Sequence, residues 1–284
     1  MISYWVVLKI ILIVIGFILM YSFLQFLVNI HPPRYYDPAT PGNYGLKYEN
    51  ISFITSDKIK IKAWLIASEK ANGTIIIGHG YPFNKGNILH VVKFLHPSYN
   101  LLLYDHRYFG ESEGKITTAG LYETRDVKAA INFTQKRFPG KPIALYGFSL
   151  SASAMLMTKS KINAIIADSP YADLNKMIKH IYSIFGPLKF PFVITTNLLA
   201  KIFFGKWPKD ISPALAVRDY DVPIFIIHGE KDSQIPVENA YALKENNPNI
   251  EFWIVEGADH GQVYAFHPKK YKTKIKSFLR KHMK

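Results

Sequence analysis

The sequence contains no cysteine among its 284 residues. Without a thiol, a disulfide framework, a thiolate zinc site, an iron–sulfur cluster and a cysteine nucleophile are all excluded. The sequence also has no His-Glu-x-x-His pair, no P-loop and no acidic calcium loop. We therefore expect no metal ion and no cofactor, and serine is left as the hydroxyl- or thiol-type nucleophile of a sharp strand-to-helix turn.

Acidic residues are few. The sequence has 21 aspartates and glutamates but 35 lysines and arginines, which gives a formal net charge of +14. Such a balance is typical of nucleic-acid binders, but no nucleic-acid-binding motif accompanies it, and we expect no nucleic-acid partner. The densest positive charge lies within 269–284, where Ile275, Phe278 and Leu279 recur at helical spacing. This pattern predicts an amphipathic helix with a solvated basic face. Attraction of that face to anionic lipid is the alternative.

One long apolar run, Ile10–Val28, has only Ser22 and Gln25 as polar interruptions. About 20 apolar residues cross a bilayer core. A cleaved signal peptide is the alternative, but the following Asn29–Pro33 has no small-x-small cleavage pattern. We therefore expect residues 1–30 to form an uncleaved, single-pass membrane anchor. The few charges on its flanks leave its orientation open.

A proline-containing linker, residues 31–44, precedes a region in which short apolar runs alternate with helical segments. The expected strands are Tyr48–Thr55, Lys58–Ala67, Thr74–Ile77, Asn100–Tyr104, Pro142–Tyr146, Ala164–Ala167, Pro223–Ile227 and Glu251–Val255. Buried strands alternating with helices predict an α/β domain over residues 45–284, with a mostly parallel sheet and helices on both faces.

Residues 171–221 interrupt this alternation, because they hold no convincing strand. They contain two apolar, aromatic segments, Met177–Phe185 and Val193–Phe204, separated by Gly186, Pro187 and Pro191. We interpret the region as a helical cap inserted over one end of the sheet. Ordinary crossover helices are the alternative, although a crossover needs only a dozen or so residues.

A candidate nucleophile follows the strand Pro142–Tyr146, in the segment Gly147-Phe148-Ser149-Leu150-Ser151. A turn that presents a serine between a strand and a helix needs small neighbours, since the backbone there is strained and closely packed. Gly147 and Ser151 are both small. Ser151 stands where the G-x-S-x-G pattern has its last glycine. The segment predicts Ser149 as a nucleophile.

A serine hydroxyl needs a base to take its proton, and the base needs a carboxylate to orient it. His260 lies in a loop directly after the last expected strand, and we predict it as the base. The loop after Pro223–Ile227 offers Asp232 as the acid, with Glu230 as the alternative. The chain order Ser149, Asp232, His260 is the one expected for a nucleophile carried on a strand-to-helix turn.

An acyl-transfer site also needs donors for the developing oxyanion. The strand Thr74–Ile77 leads into Gly78-His79-Gly80-Tyr81, so we predict the backbone N–H groups of Tyr81 and Leu150 as the donors.

Two glycines after a strand also resemble the start of a dinucleotide-binding turn, and Asp105 stands where a ribose-binding acid would be. However, Phe83 occupies the third glycine position and Pro82 the expected helix start. We therefore favour the oxyanion interpretation.

These motifs together resemble those of the α/β-hydrolase superfamily, from about Tyr44 to the end of the sequence. In order, the motifs are His79-Gly80, Asp105 with Gly110-Glu111-Ser112, Gly147–Ser151, Asp168–Tyr171, Asp232 and His260. The N-terminal anchor and the Asp168–Pro170 turn resemble those of membrane-anchored, esterase-like hydrolases related to prolyl oligopeptidase and dienelactone hydrolase. The resemblance implies a Ser-His-Asp hydrolase with a helical cap, but it does not imply a substrate.

The function expected from these features is hydrolysis of a carboxylic ester or thioester through an acyl-enzyme. The apolar cap region favours a small-molecule or lipid-like ester as substrate. A peptidase or amidase of the same fold is the enzymatic alternative. A noncatalytic membrane-tethered protein is the other alternative, and the presence of nucleophile, acid and base argues against it.

Overall fold

Eight strands form one sheet in the computed structural model, which describes residues 3–284. The strands are β1 (Glu49–Ile54), β2 (Lys60–Ile66), β3 (Thr74–Gly78), β4 (Asn100–Tyr104), β5 (Ile143–Phe148), β6 (Ala164–Asp168), β7 (Ile224–Gly229) and β8 (Glu251–Val255). Their order across the sheet is β1-β2-β4-β3-β5-β6-β7-β8. β2 runs antiparallel to both neighbours, and the strands from β4 to β8 are parallel. The predicted mostly parallel sheet is confirmed.

Ten α-helices accompany the strands in the described residues. They are α1 (Tyr4–Ile30), α2 (Lys85–Val92), α3 (Glu123–Arg137), α4 (Leu150–Leu156), α5 (Leu174–Ile181), α6 (Lys189–Phe204), α7 (Pro213–Ala216), α8 (Glu238–Asn246), α9 (Val263–Phe266) and α10 (Pro268–His282). Short 3₁₀ turns occupy Pro41–Tyr44, Lys93–Leu95, Tyr182–Leu188 and Pro208–Asp210.

Two apolar cores are built from the alternation of side chains along the strands. Ile76 belongs to one core, whereas its neighbours Ile75 and Ile77 belong to the other. Successive residues of a strand point to opposite faces of the sheet, and helices cover both faces. This double burial explains why the parallel strands are near-continuous apolar runs in the sequence.

Helix α10 carries the basic C-terminal segment. It buries Tyr271, Ile275, Phe278 and Leu279, which recur at helical spacing, and it leaves Lys269, Lys270 and Lys276 exposed. The predicted amphipathic helix with a solvated basic face is therefore confirmed.

The chain divides into two compact units. The first comprises the chain up to Pro32 together with Asp173–Ser212, and the second comprises Pro33–Ala172 and Pro213–Lys284. The first unit holds α1, α5 and α6. The second holds the whole sheet and the remaining helices.

Residues 171–221 contain no strand, and all of them lie in the part of the chain that the structure describes. The predicted break at Pro191 is wrong, because α6 begins at Lys189 and includes this proline in its first turn. A first-turn residue has no intrahelical N–H bond to lose, so proline is tolerated there. The predicted break at Gly186 is present, because the φ of this residue, 53°, is left-handed.

The topology gathers four loops at one edge of the second unit. β3, β5, β7 and β8 are parallel, and their carboxyl ends lead into the four loops that hold the predicted site residues. Ligands of open α/β sheets bind outside this edge. The loops after these four strands therefore form the candidate site.

Candidate active site

Ser149 lies at a sharp turn between β5 and α4. Its φ of 54° and ψ of −112° fall outside the regions that residues other than glycine normally adopt. The Ser149 N–H donates to the Asp168 carbonyl oxygen at 2.8 Å, which ties the turn to the neighbouring strand β6. An added Cβ at Gly147 would lie 2.5 Å from the Ala152 backbone nitrogen, so the turn requires glycine there. This geometry is that of a strained strand-to-helix elbow.

His260 reaches Ser149 from the loop after β8. Its Nε2 lies 3.1 Å from the Ser149 Oγ, within the range for direct proton transfer. The His260 N–H donates to the Asp259 carboxylate at 2.7 Å, and the His260 ring packs 5.1 Å from the Phe148 ring, centroid to centroid. Backbone and ring are therefore both held in place.

Asp232 lies on the other side of the histidine. One carboxylate oxygen, Oδ2, is 2.8 Å from His260 Nδ1. The other, Oδ1, accepts the backbone N–H groups of Gln234 at 3.1 Å and Ile235 at 2.7 Å. An acceptor beside Nδ1 favours the tautomer with its proton on Nδ1, which leaves Nε2 free to accept the serine proton.

Glu230, the other candidate acid, does not contact His260. It is exposed, and its carboxylate accepts the Gly257 N–H at 3.1 Å. The structure thus brings Ser149, His260 and Asp232 into one hydrogen-bonded row and leaves Glu230 outside it.

His228 supports the loop that holds Asp232. This role was not identified from the sequence. Its ring is fully buried, and its Nε2 lies 2.7 Å from the Ile235 carbonyl oxygen. Burial lowers the pKa of His228, so the ring is neutral near pH 7 and donates its Nε2 proton to that carbonyl. Ile235 in turn donates to Asp232, so His228 helps to fix the carboxylate. The sequence feature that could have indicated His228 is a histidine directly after an apolar run.

The loop after β3 runs against the elbow. An added Cβ at Gly80 would lie 2.6 Å from the Phe148 ring and 3.3 Å from the Ser149 Cβ, so only glycine allows this approach. Within residues 3–284, neither the Tyr81 nor the Leu150 backbone N–H donates to another protein atom. Leu150 is the first residue of α4, where helix amides lack an intrahelical acceptor. Two such amides could bind an oxyanion.

Ser151, which replaces the usual glycine, joins a second buried cluster. Its hydroxyl donates to the His79 carbonyl and lies 2.6 Å from His106 Nε2. His106 Nδ1 lies 3.3 Å from the Asp126 carboxylate, and all four residues are fully buried. The hydroxyl therefore links α4 to the loop after β3 and to the end of β4. The sequence suggested only a small residue at position 151, and this cluster was missed.

Asp105 is not available to bind a ribose. Its side chain is fully buried, where it accepts the Lys85 ammonium at 2.6 Å and the Lys85 backbone N–H at 2.7 Å. Both carboxylate oxygens are thereby occupied. The geometry favours the oxyanion interpretation of the loop after β3 over the dinucleotide one.

Asp168 ends β6, next to the elbow, and is buried. Its Oδ2 accepts the Tyr271 hydroxyl at 2.6 Å, and its Oδ1 accepts the Ser169 hydroxyl at 3.1 Å. Burial disfavours the charged carboxylate and raises the pKa of Asp168 from 3.8 to about 6, although both hydroxyls act in the opposite direction. The Asp168 carboxyl therefore loses its proton at a higher pH in the folded protein than in the unfolded chain.

Asp168→Asn is expected to change how stability depends on pH. Between pH 4 and pH 6 the folded wild type binds more protons at Asp168 than the unfolded chain does, so this group lowers stability as pH rises. Asparagine does not titrate. The free energy of unfolding of the variant, relative to wild type, should therefore rise by up to about 3 kcal/mol between pH 4 and pH 7.

Denaturant unfolding of the full chain in detergent, at pH values from 4 to 8, measures this difference. Asp219→Asn is the matched control, because Asp219 is exposed. A wild-type-to-variant difference that stays constant across the pH range would contradict the prediction.

The segment that holds the elbow matches a known protein family. A family model described as serine aminopeptidase, S33, matches residues 69–210, which is half of the chain. The matched segment includes the loop after β3 and the elbow at Ser149. Asp232 and His260 lie beyond it.

Several proteins are similar over most of the chain. The esterase Pf2001 of Pyrococcus furiosus superposes with a TM-score of 0.75 and 29% identity, covering 90% of this chain and 98% of that one. The uncharacterized protein YqkD of Bacillus subtilis is 27% identical over 77% of this chain and 75% of its own length. An uncharacterized membrane protein of Saccharomyces cerevisiae, YNL320W, is 24% identical over 76% of this chain and 74% of its own.

Proposed function

Because the chain belongs to the serine aminopeptidase S33 family of α/β hydrolases, we propose that it hydrolyses carboxylic esters or thioesters through an acyl-enzyme on Ser149. The observation that carries the proposal is the row of hydrogen bonds from Ser149 through His260 to Asp232, with distances of 3.1 and 2.8 Å. Nucleophile, base and acid within hydrogen-bond reach of one another are what covalent acyl transfer needs.

The proposed reaction has two halves. In the first, the Ser149 Oγ attacks the carbonyl carbon, and its proton passes to His260 Nε2. The N–H groups of Tyr81 and Leu150 stabilise the oxyanion. The tetrahedral intermediate then collapses, and the leaving alcohol or thiol takes the proton from His260, which leaves an ester of Ser149.

Water completes the cycle. The water oxygen attacks the acyl carbon while His260 Nε2 takes a proton from that water. When the tetrahedral intermediate collapses, His260 gives this proton to the Ser149 Oγ, which leaves as the hydroxyl. The products are the free carboxylic acid and the original enzyme. Asp232 stabilises the imidazolium form of His260 in both halves.

Ester cleavage is proposed ahead of amide cleavage because the chain resembles the Pyrococcus furiosus esterase over nearly all of that protein's length. The family name keeps a peptidase or amidase as the second candidate. We expect the purified chain to hydrolyse p-nitrophenyl esters of short to long acids, and aminoacyl p-nitroanilides at least about 10²-fold more slowly in kcat/KM, a barrier difference of about 3 kcal/mol. Equal kcat/KM values for the two substrate classes would favour the peptidase instead.

We further propose that α1 is an uncleaved anchor that tethers the α/β-hydrolase domain, residues 45–284, to a membrane through the linker 31–44. A helix of 27 residues extends about 40 Å and exceeds a hydrocarbon core of about 30 Å. A yeast relative is named as a membrane protein. Retention is supported by the buried side chains of Phe26 and Ile30 in the last turns of α1, because cleavage after these turns would remove part of a packed core.

A further inference from the structure

Helix α1 has two different halves. No residue of 4–17 is buried, and apart from Lys9 and the glycine at position 16 the side chains of this half are apolar or aromatic. In the second half every fourth residue is buried, namely Ser22, Phe26 and Ile30. A helix that is apolar all round is typical of a lipid environment, whereas a single buried stripe indicates packing against protein.

Helix α6 packs along the second half of α1. Near its start, the Phe192 ring lies 6.4 Å from the Phe17 ring and 5.6 Å from the Tyr21 ring. Near its end, the Phe203 ring lies 5.3 Å from the Phe26 ring. The two helices therefore point the same way, and the start of α6 is level with Phe17 and Tyr21, where the exposed half of α1 ends.

The segment around the start of α6 carries an unusual set of exposed apolar side chains, which we call the apolar tip. Its members and their exposed fractions are Ile184 (84%), Leu188 (75%), Phe190 (54%) and Ile194 (67%). They fall within eleven residues around the turn at Gly186. A single exposed leucine needs no explanation, but a concentration of this kind marks an interaction surface.

Charge around the tip is of one sign. From Leu174 to Lys209 the chain has six lysines and no aspartate or glutamate. Lys189 lies within the tip segment and Lys179 precedes it. Both side chains are long enough to reach a headgroup region while the apolar groups go deeper. A surface that is apolar at its tip and basic around it is complementary to a bilayer containing anionic lipid.

The dimensions of α1 place the tip at the bilayer boundary. Because α1 packs against protein from Ser22 onward, the lipid-facing part is residues 4–21, which extend about 27 Å, close to the thickness of a hydrocarbon core. The one charged residue in this part, Lys9, lies near its outer end, where a lysine side chain can extend its ammonium to the headgroups. Tyr21 would then lie at the interface, where tyrosine is enriched. Phe185, beside the tip, has its ring 5.5 Å from the Tyr21 ring. The tip is therefore level with the boundary that α1 itself defines.

We propose that the apolar tip inserts into the headgroup and acyl boundary of an anionic bilayer, so that the turn between α5 and α6 forms a second membrane contact beside α1. This inference rests on the proposed anchoring by α1. The stretch Leu174–Phe204 is apolar and long enough to cross a bilayer by length and composition alone, but its break at Gly186 favours shallow insertion of the turn over a second crossing.

The absence of cysteine makes the test direct, because one introduced thiol is the only labelling site. Leu188→Cys and Ile184→Cys, in the full chain reconstituted into phosphatidylcholine and phosphatidylglycerol vesicles, would carry an environment-sensitive fluorophore. Lipids brominated along their acyl chains are expected to quench both labels and to shift their emission to the blue. Lys206→Cys, an exposed position beyond the other end of α6, is the matched control and should stay unquenched.

Ile13→Cys, in the exposed half of α1, separates the two proposals. A label at Ile13 that is not quenched would overturn the anchor itself. Quenching at Ile13 without quenching at Leu188 would overturn the tip proposal and leave the anchor intact. A Leu188 label that is shielded from aqueous iodide but not quenched by brominated lipid would also overturn it, because a second copy of the chain would then cover the tip.

Discussion

Alanine in place of Ser149 is expected to lower ester hydrolysis by at least about 10³-fold and to abolish labelling by a fluorophosphonate probe. The substitution removes the hydroxyl that forms the acyl-enzyme. The unpaired amides of Tyr81 and Leu150 remain, so a small residual rate from oxyanion stabilisation is expected. The labelling should disappear completely, since the probe bonds covalently to the Oγ.

The measurement compares kcat/KM for a p-nitrophenyl ester with gel detection of the labelled chain. Ser98→Ala is the matched control, because Ser98 is exposed on a loop, and it should label and turn over like wild type. Labelling that persists in Ser149→Ala would place the nucleophile elsewhere. A wild-type chain that neither labels nor hydrolyses any ester or anilide would instead support the noncatalytic alternative.

Asp232→Asn is expected to lower kcat by about 10³- to 10⁴-fold while changing KM little. The reason lies in the two oxygens of this carboxylate. Oδ1 accepts two backbone N–H groups, from Gln234 and Ile235, so the single oxygen of an asparagine is held on that side. The amide NH₂ then faces His260 Nδ1. Donation from the amide forces the His260 proton onto Nε2, where it blocks acceptance of the Ser149 proton.

Glu230→Gln is the control for Asp232→Asn, because it makes the same chemical change in the same loop at an exposed side chain. Its kcat should stay within about twofold of wild type, a barrier change of less than 0.5 kcal/mol. Steady-state kinetics on one ester, at several pH values, measures both variants. Equal losses in the two variants would mean that the acid has been assigned to the wrong carboxylate.

Much of the fold was predictable because the strands are buried on both faces. Such strands are continuous apolar runs, and each of the eight predicted runs overlaps an observed strand with ends that differ by at most two residues. The start of α6 was less predictable. Pro191 looks like a helix breaker in the sequence, but its effect depends on whether it falls in the first turn or later, and the position of that turn is set by Gly186 and by packing against α1.

Some residues of the candidate site could be predicted from the sequence, and others could not. Ser149 and His260 follow strands directly, so local sequence was enough to nominate them. The choice between Asp232 and Glu230 depended on which carboxylate reaches the His260 ring, and two residues of the same loop look equivalent in sequence. The clusters around Ser151 and Asp168 were missed because their hydrogen-bond partners, His106 and Tyr271, lie 45 and 103 residues away along the chain.

The sequence by itself therefore determined the strand pattern, the elbow with its serine, the chain order of the candidate residues Ser149, Asp232 and His260, and the apolar character of α1. These depend on residue type and on neighbours a few positions away, which local sterics and hydrophobic periodicity control. Only the tertiary structure decided that the Asp232 carboxylate contacts the His260 ring, that the hydroxyl of Ser151 occupies a buried cluster, and that α1 packs against α6. Those outcomes depend on distances between residues far apart in the chain, and such distances arise only when the sheet and helices pack together.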